Sequence, residues 1–192
     1  MGEGVDRKGC QRVLDGRESD CVAEAAAGCR TAFAALIDRH YDRIYCTAWR
    51  FAGSREAAED IAQDVCVKLA TAIRQYRGEA RFTTWLHTIV YTTATDFLRA
   101  RQRIVLFAPS DLQGLAECGS SETPESALID AQLWQAVRAL PGQQRDAVLL
   151  VYAEDLTHAE AAVILGCTEK TVSWHLHEAR KKLKVRLEAV GT

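Results

Sequence analysis

The sequence predicts an all-α protein of two small helical domains, an N-terminal helical bundle and a C-terminal four-helix domain containing a helix-turn-helix, joined by a flexible linker. Three observations carry that expectation. Apolar residues recur at three- and four-residue spacing from 31 to 103 and again from 133 to 184, and residues 28–103 read as helices only. Between 104 and 127 the periodicity stops while Pro109, Gly114, Gly119, Ser120, Ser121 and Pro124 accumulate, over a length that a loop inside a compact domain rarely reaches. From Thr157 onward, two short helical patterns flank a glycine. The domains are therefore expected at 28–103 and 128–192, with a flexible arm at 1–27 and an acidic linker at 104–127.

In the arm, Gly and charged residues give way to the Ala-rich VAEAAAG, where a helix can begin to form. From Thr31, residues Phe33, Leu36, Ile37, Tyr41, Ile44, Tyr45, Ala48 and Trp49 form a wide apolar side, which Gly53 and Ser54 end. Ser54 suits the cap of the next helix, expected over 55–75 with Ile61, Val65, Leu69 and Ile73 buried. On that helix Asp60, Gln63 and Val67 point away from the core, flanked by Glu59 and Asp64. An apolar residue among exposed acceptors fits a partner surface, although single exposed apolar residues are also ordinary. After the basic loop YRGEAR (76–81), a third helix starting near Thr83 or Thr84 uses Phe82, Trp85, Leu86, Ile89 and Phe97. Its β-branched middle lowers helix propensity, so packing must hold it.

The C-terminal half resumes with Leu133, Trp134, Val137 and Leu140, pauses at Pro141-Gly142, and continues through Val148, Leu149, Tyr152 and Leu156. Thr157 and Glu160 then make a capping box, and Gly166 is placed for a left-handed turn. Thr168 caps the last helix, on which Val172, Leu176, Ala179 and Leu183 form one buried stripe. Its other side carries Lys170, Ser173, Trp174, His177 and Lys181, groups that hydrogen-bond base edges and phosphates.

Charge is distributed rather than massed. The chain of 192 residues has net charge -2, but the 28–103 stretch holds twelve basic against eight acidic residues, and 104–127 holds four acids with no Lys or Arg. The seven cysteines are odd in number, scattered and without a C-x-x-C pair, which suggests neither a disulfide framework nor a zinc ribbon. They read as reduced thiols, and with no signal-peptide pattern and no apolar run of about 20 residues, a cytoplasmic protein without a membrane segment is expected. There is no Gly-rich phosphate loop, H-E-x-x-H or nucleophile motif, so neither catalysis nor a metal or other cofactor is expected.

Three stretches together, AAEDIAQDVCVKL (57–69), RFTTWLHTI (81–89, continuing to Asp96 and Arg99) and LPGQQRDAVLLVYAEDLTHAEAAVILGCTEKTVSWHLHEARKKL (140–183), resemble the extracytoplasmic-function (ECF) sigma factors of bacterial RNA polymerase. That resemblance implies a non-enzymatic initiation factor, with a region 2-like domain at 28–103 and a region 4-like domain at 128–192. It implies docking on core RNA polymerase through Asp60, Ile61, Ala62, Gln63, Asp64 and Val67. It implies contact with the melted minus-ten promoter DNA through Arg77, Arg81, Phe82, Thr84, Trp85, Tyr91, Thr92 and Arg99, although Phe82 and Trp85 also lie on the apolar side and suit the core. The minus-thirty-five element would meet Lys170, Thr171, Ser173, Trp174, His175, His177, Arg180, Lys181 and Lys184. The linker would thread the polymerase cleft or serve as a solubilising tether, and an anti-sigma factor is an expected partner.

The chain departs from the family pattern at Val90, Tyr91 and Thr92, where Ala-Arg-Asn is common, and at Ser173 and His175, where Lys and Arg are frequent; an unusual promoter, or weaker binding to it, is implied. Two other readings remain. TEKTVSWHL also resembles the reader of LuxR-type activators, which the helical first half disfavours because a receiver domain would alternate strands and helices. A cysteine-based redox or metal sensor, using His40 or the His175 and His177 pair, competes with cysteines as small buried hydrophobes.

Overall fold

The computed structural model describes residues 17–102 and 132–190; the first part of the expected arm and the whole expected linker lie outside these residues. All regular structure among the described residues is helical. The N-terminal unit comprises α1 (Glu18–Ala26), α2 (Arg30–Ala52), α3 (Arg55–Ala72) with a closing 3-10 turn (Ile73–Gln75), and α4 (Phe82–Gln102). The C-terminal unit comprises α5 (132–138), α6 (Gly142–Val148), a π turn (Leu149–Ala153), α7 (His158–Leu165) and α8 (Glu169–Val190).

Local sequence explains the boundaries. Gly53 ends α2 in the left-handed conformation, and the Ser54 side chain accepts from the Ala57 N–H to open α3. Leu36, Ile44 and Trp49 of α2 pack with Ile61, Val65 and Leu69 of α3 and with Leu86 and Val90 of α4, all nearly inaccessible to water. Burying six or more such side chains at about 1.5–3 kcal/mol each is what holds the β-branched middle of α4 helical against its propensity.

One boundary differs from expectation. Residues 18–26 are not part of a free arm but a helix of the bundle, with Cys21, Val22 and Ala25 buried and Glu18 meeting the buried His40 at 2.7 Å. Three small side chains at three- and four-residue spacing suffice for close packing on α2, which composition alone concealed.

In the C-terminal unit both halves of the Thr157–Glu160 capping box are present, Gly166 is left-handed at φ 64°, and the Thr171 N–H donates to Thr168 Oγ1 at 3.2 Å. Val172, Leu176 and Ala179 are buried as the stripe requires, with Leu183 partly so. Tyr152, which the pattern suggests for the core, is instead largely exposed. The two units are packed together through α2, α4 and the π turn, an arrangement no local pattern predicts.

Candidate functional site

On α3 the expected docking face divides cleanly. Asp60, Gln63 and Asp64 are exposed, and Val67 has 69% of its surface open to solvent. Ile61 and Ala62, expected in the same face, are 0% exposed and belong to the core. The 3.6-residue period puts them in line with Ala58, Val65 and Leu69, so the matching sequence stretch is a helix with two sides, of which only one is open to solvent.

The expected minus-ten face on α4 is likewise split. Arg77, Arg81, Thr92 and Arg99 are exposed. Phe82 is buried and is a correction: its ring sits between His40, Tyr76 and Trp85, at centroid distances of 5.4, 5.7 and 5.8 Å. Trp85 is half-buried in the same cluster, its ring tilted against Tyr76 at 5.1 Å between centroids, and the Tyr76 hydroxyl donates to the Ala80 carbonyl and ties the basic loop down. Thr84 and Tyr91 are engaged elsewhere. Thr84 Oγ1 donates to Glu160 at 2.9 Å, and the Tyr91 hydroxyl donates to Asp146 at 3.1 Å, both across the seam between the two units.

The reading helix α8 presents Lys170, Ser173, Trp174, His177, Arg180, Lys181 and Lys184 outward, with Trp174 56% exposed. His175 is the exception, at 7% exposure, and must be withdrawn from the DNA-facing set. It lies three residues beyond Val172 and four before Ala179, which places it in the buried stripe despite its polarity. Thr171 is half-buried and held by the Thr168 cap. Ser173 Oγ lies 3.1 Å from His158 Nδ1 and donates to the Glu169 carbonyl, Arg180 lies over the Tyr152 ring and bonds its hydroxyl, and Lys181 pairs with Glu178 at 3.2 Å.

The seam is the feature that sequence reasoning misses. After the π turn the Glu154 N–H reaches back to the Leu149 carbonyl and Asp155 takes a left-handed conformation at φ 53°. This irregular ending turns the Glu154 carboxylate into the other unit, where it accepts from Arg50 Nη1 and Thr47 Oγ1, each at 2.8 Å. Burial pushes the Glu154 carboxyl above its ordinary range, with Arg50 opposing. His87 Nδ1 lies 3.7 Å from the same carboxylate, too far for a hydrogen bond; burial and the neighbouring Arg43 bring its pKa down to about 4, so it is neutral at pH 7. Alongside, Asp146 takes Tyr91 and Arg145; burial raises both the Asp146 carboxyl and the Tyr91 hydroxyl, the latter to about 12. Guanidiniums stack across the seam on aromatic rings: Arg50 on Trp134, Arg138 on Trp49 and Arg145 on Phe51.

Among the described residues no group of three His, Cys, Asp or Glu is close enough to hold a metal ion, and no helix is long and apolar enough to cross a membrane.

The described residues, helical throughout, carry the acid-flanked open face of α3, a basic stretch leading into α4 and a capped helix-turn-helix ending in α8, the parts expected of a sigma-70-type initiation factor. Sequence comparison agrees: Sigma-70 region 2 matches residues 36–104 and Sigma-70 region 4 matches 130–183. The chain belongs to the ECF sigma factors, non-enzymatic proteins that bind core RNA polymerase and direct transcription initiation at promoters. It is 31% identical over 154 residues to ECF RNA polymerase sigma factor SigE of Mycolicibacterium smegmatis, covering 78% of this chain but only 59% of that longer protein. To the RNA polymerase sigma-H factor of Pseudomonas aeruginosa it is 28% identical over 186 residues, covering 90% of this chain and 94% of the relative. Two solved structures share the fold. CnrH in complex with the cytosolic domain of CnrY has a TM-score of 0.67 at 23% identity, covering 94% of this chain and 98% of that one. RpoE of Bartonella quintana in complex with the anti-sigma factor NepR has a TM-score of 0.63 at 22% identity, covering 81% and 96%. A LuxR-type activator and a metal or redox sensor are not favoured beside these matches.

Proposed function

We propose that this sigma factor docks on core polymerase through Asp60, Gln63, Asp64 and Val67, and reads the minus-thirty-five element with Lys170, Ser173, Trp174 and His177. The observation that carries the second assignment is the outward face of α8, where a 56% exposed tryptophan stands between polar and basic groups above the stripe of buried Val172, Leu176 and Ala179. Lys181 and Lys184 supply phosphate contacts. Arg77, Arg81, Thr92 and Arg99 form the open part of the minus-ten face, and Thr84 and Tyr91 join it once the seam parts.

The packed arrangement is a resting form. Two promoter elements about 25 base pairs apart are separated by about 85 Å at 3.4 Å per pair. A compact chain of this length has a radius of gyration of about 16 Å, too small to reach both. The intervening 103–131 stretch, fully extended, spans about 100 Å and permits the separation. Its acidity suits either passage through the polymerase cleft or a solubilising tether.

An anti-sigma protein is the expected regulator, since the fold neighbour RpoE was solved with the anti-sigma factor NepR. Working on polymerase places the protein in the cytoplasm. The test is transcription in vitro with core polymerase and this protein over a library of genomic promoters. A defined two-part promoter, lost with Trp174→Ala and Lys170→Ala, is the expected result; activity untouched by both changes means that α8 has been misassigned as the reader.

A further inference from the structure

Beside the Glu154 contacts the seam opens into a cleft of about 560 Å³, within the range of small-molecule sites, lined by Tyr91, Thr95 and Arg99 of α4 and by Arg138, Arg145, Asp146 and His175 of the other unit. Its charge is unbalanced. Three guanidiniums face one carboxylate, and that carboxylate is already engaged by Arg145 and Tyr91. Arg99 makes a loose 4.0 Å contact with Asp96 on the open surface of α4 and lies close enough to Asp146 to act on its charge.

Arg138 is the most telling of the three. Its guanidinium carbon lies 5.0 Å from the Trp49 ring, and its side chain crosses Gly53 so closely that a Cβ there would come within 2.7 Å of Nε. It is thus fixed against two residues of the N-terminal unit, yet its buried Nη1 has no hydrogen-bond partner among the described residues. Burial alone accounts for the lowering of its pKa, with no acid opposing. Across the cleft, His175 is more than nine-tenths buried and its Nδ1 has no hydrogen-bond partner among the described residues. Both side chains line the same cleft, and a buried polar atom without a partner is costly unless a ligand or water answers it.

We propose that this cleft binds a small multivalent oxyanion, bearing phosphate or carboxylate groups, held by Arg138 and Arg99 with a hydrogen bond from His175. A planar guanidinium pre-set by stacking is suited to bidentate oxyanion capture. Because Arg99 belongs to the minus-ten helix while Arg138 and His175 belong to the reading unit, the anion bridges the two and favours the packed form. A ligand specific to one of two states shifts their balance by its differential affinity. The inference rests on the packed form being the resting state. Its readout, anion binding, needs neither polymerase nor DNA, so its failure is separable from failure of the promoter-reading assignment.

The test is calorimetric titration of the full chain with pyrophosphate, and in a second arm with citrate, at constant ionic strength. Saturable binding to the wild type is expected, with Arg138→Gln and Arg99→Gln each weakening it about tenfold or more. Lys181→Gln with Lys184→Gln, on the far basic face of α8, should leave it unchanged. Stronger binding of pyrophosphate than of citrate assigns a phosphate ligand, and the reverse a carboxylate. Circular dichroism checks the fold of Arg138→Gln, and Arg99→Gln, on an exposed residue, keeps the test decisive if that variant unfolds. No saturation by either anion up to roughly 10 mM, affinity indifferent to Arg138 and Arg99, or loss through the α8 lysines would overturn the proposal.

Discussion

Replacing Glu154 with Ala should shift the chain from its packed to its open form by a calculable amount. Removing one member of a buried ion pair costs about 3–5 kcal/mol when the partner is left stranded. Here the cost is smaller, for two reasons visible at the site. Arg50 has 19% of its side chain exposed and keeps a 3.3 Å bond to the Ala153 carbonyl, while Thr47, with one hydroxyl proton, can turn wholly to the Arg43 carbonyl at 2.8 Å. The carboxylate's own burial, which raises its pKa, offsets more of the gain. A net loss of about 2–3 kcal/mol remains, or about 30- to 150-fold in the ratio of packed to open chains. Small-angle scattering should show the radius of gyration rising above the packed value of about 16 Å. Apparent affinity for core polymerase should tighten by up to the same factor, because the competent fraction of the population grows. An Arg50→Ala partner in a double-mutant cycle isolates the pair. A folded Glu154→Ala protein with unchanged scattering and unchanged polymerase affinity would refute the idea that this carboxylate holds the two units together.

Other faces yield their own tests. Asp60→Arg with Gln63→Ala should weaken holoenzyme assembly while leaving circular dichroism unchanged, since both residues are exposed; normal assembly removes α3 as the docking surface. Lys181→Gln and Lys184→Gln should each reduce the salt dependence of DNA binding by about one unit of slope, and an unchanged slope would mean that neither neutralises a phosphate. His87, neutral in the fold with its pKa lowered from 6.5 to about 4, takes up a proton more readily when unfolded, so its contribution to stability is intact above pH 6.5 and is lost as pH falls toward 4. Between pH 7.5 and 5.5 that loss is about 1.4 kcal/mol. Asp146 and Glu154, both raised, work in the opposite direction, so the comparison is with His87→Gln, whose denaturant midpoint should fall less over that interval; equal falls in both proteins would count against a buried neutral imidazole.

Elements that depend on neighbours in sequence were readable from it, and those that depend on distant partners were not. The capping box, the Gly166 turn and the Val172 stripe arise within a few residues, and the structure reproduces each. Three of the misreadings share one cause. Ile61, Ala62 and His175 belong to motifs whose matching letters run continuously along the chain, while the helix turns each successive letter by about 100 degrees. Strict three- and four-residue counting from Val172 puts His175 indoors, and the same counting, which already buried Ile61 against its place in the matching stretch, buries Ala62 as well.

The seam had no comparable signal, because Glu154 and Thr47 are 107 positions apart. What the sequence does offer is an anomaly: Asp146 and Glu154 bracket the apolar run AVLLVYA, inside the stretch that must form the core of the second unit. Two carboxylates so placed are expensive to bury unless cations answer them, and the answering groups, Arg50 and Arg145, lie on either side of the seam that the acids close. A permanent domain interface would be better served by hydrophobic residues of the same volume. Charged pairs that are costly to desolvate hold two surfaces in register and release them when either surface finds water or a better partner. That property suits the proposed resting form, in which the two units stay together in solution and part on polymerase.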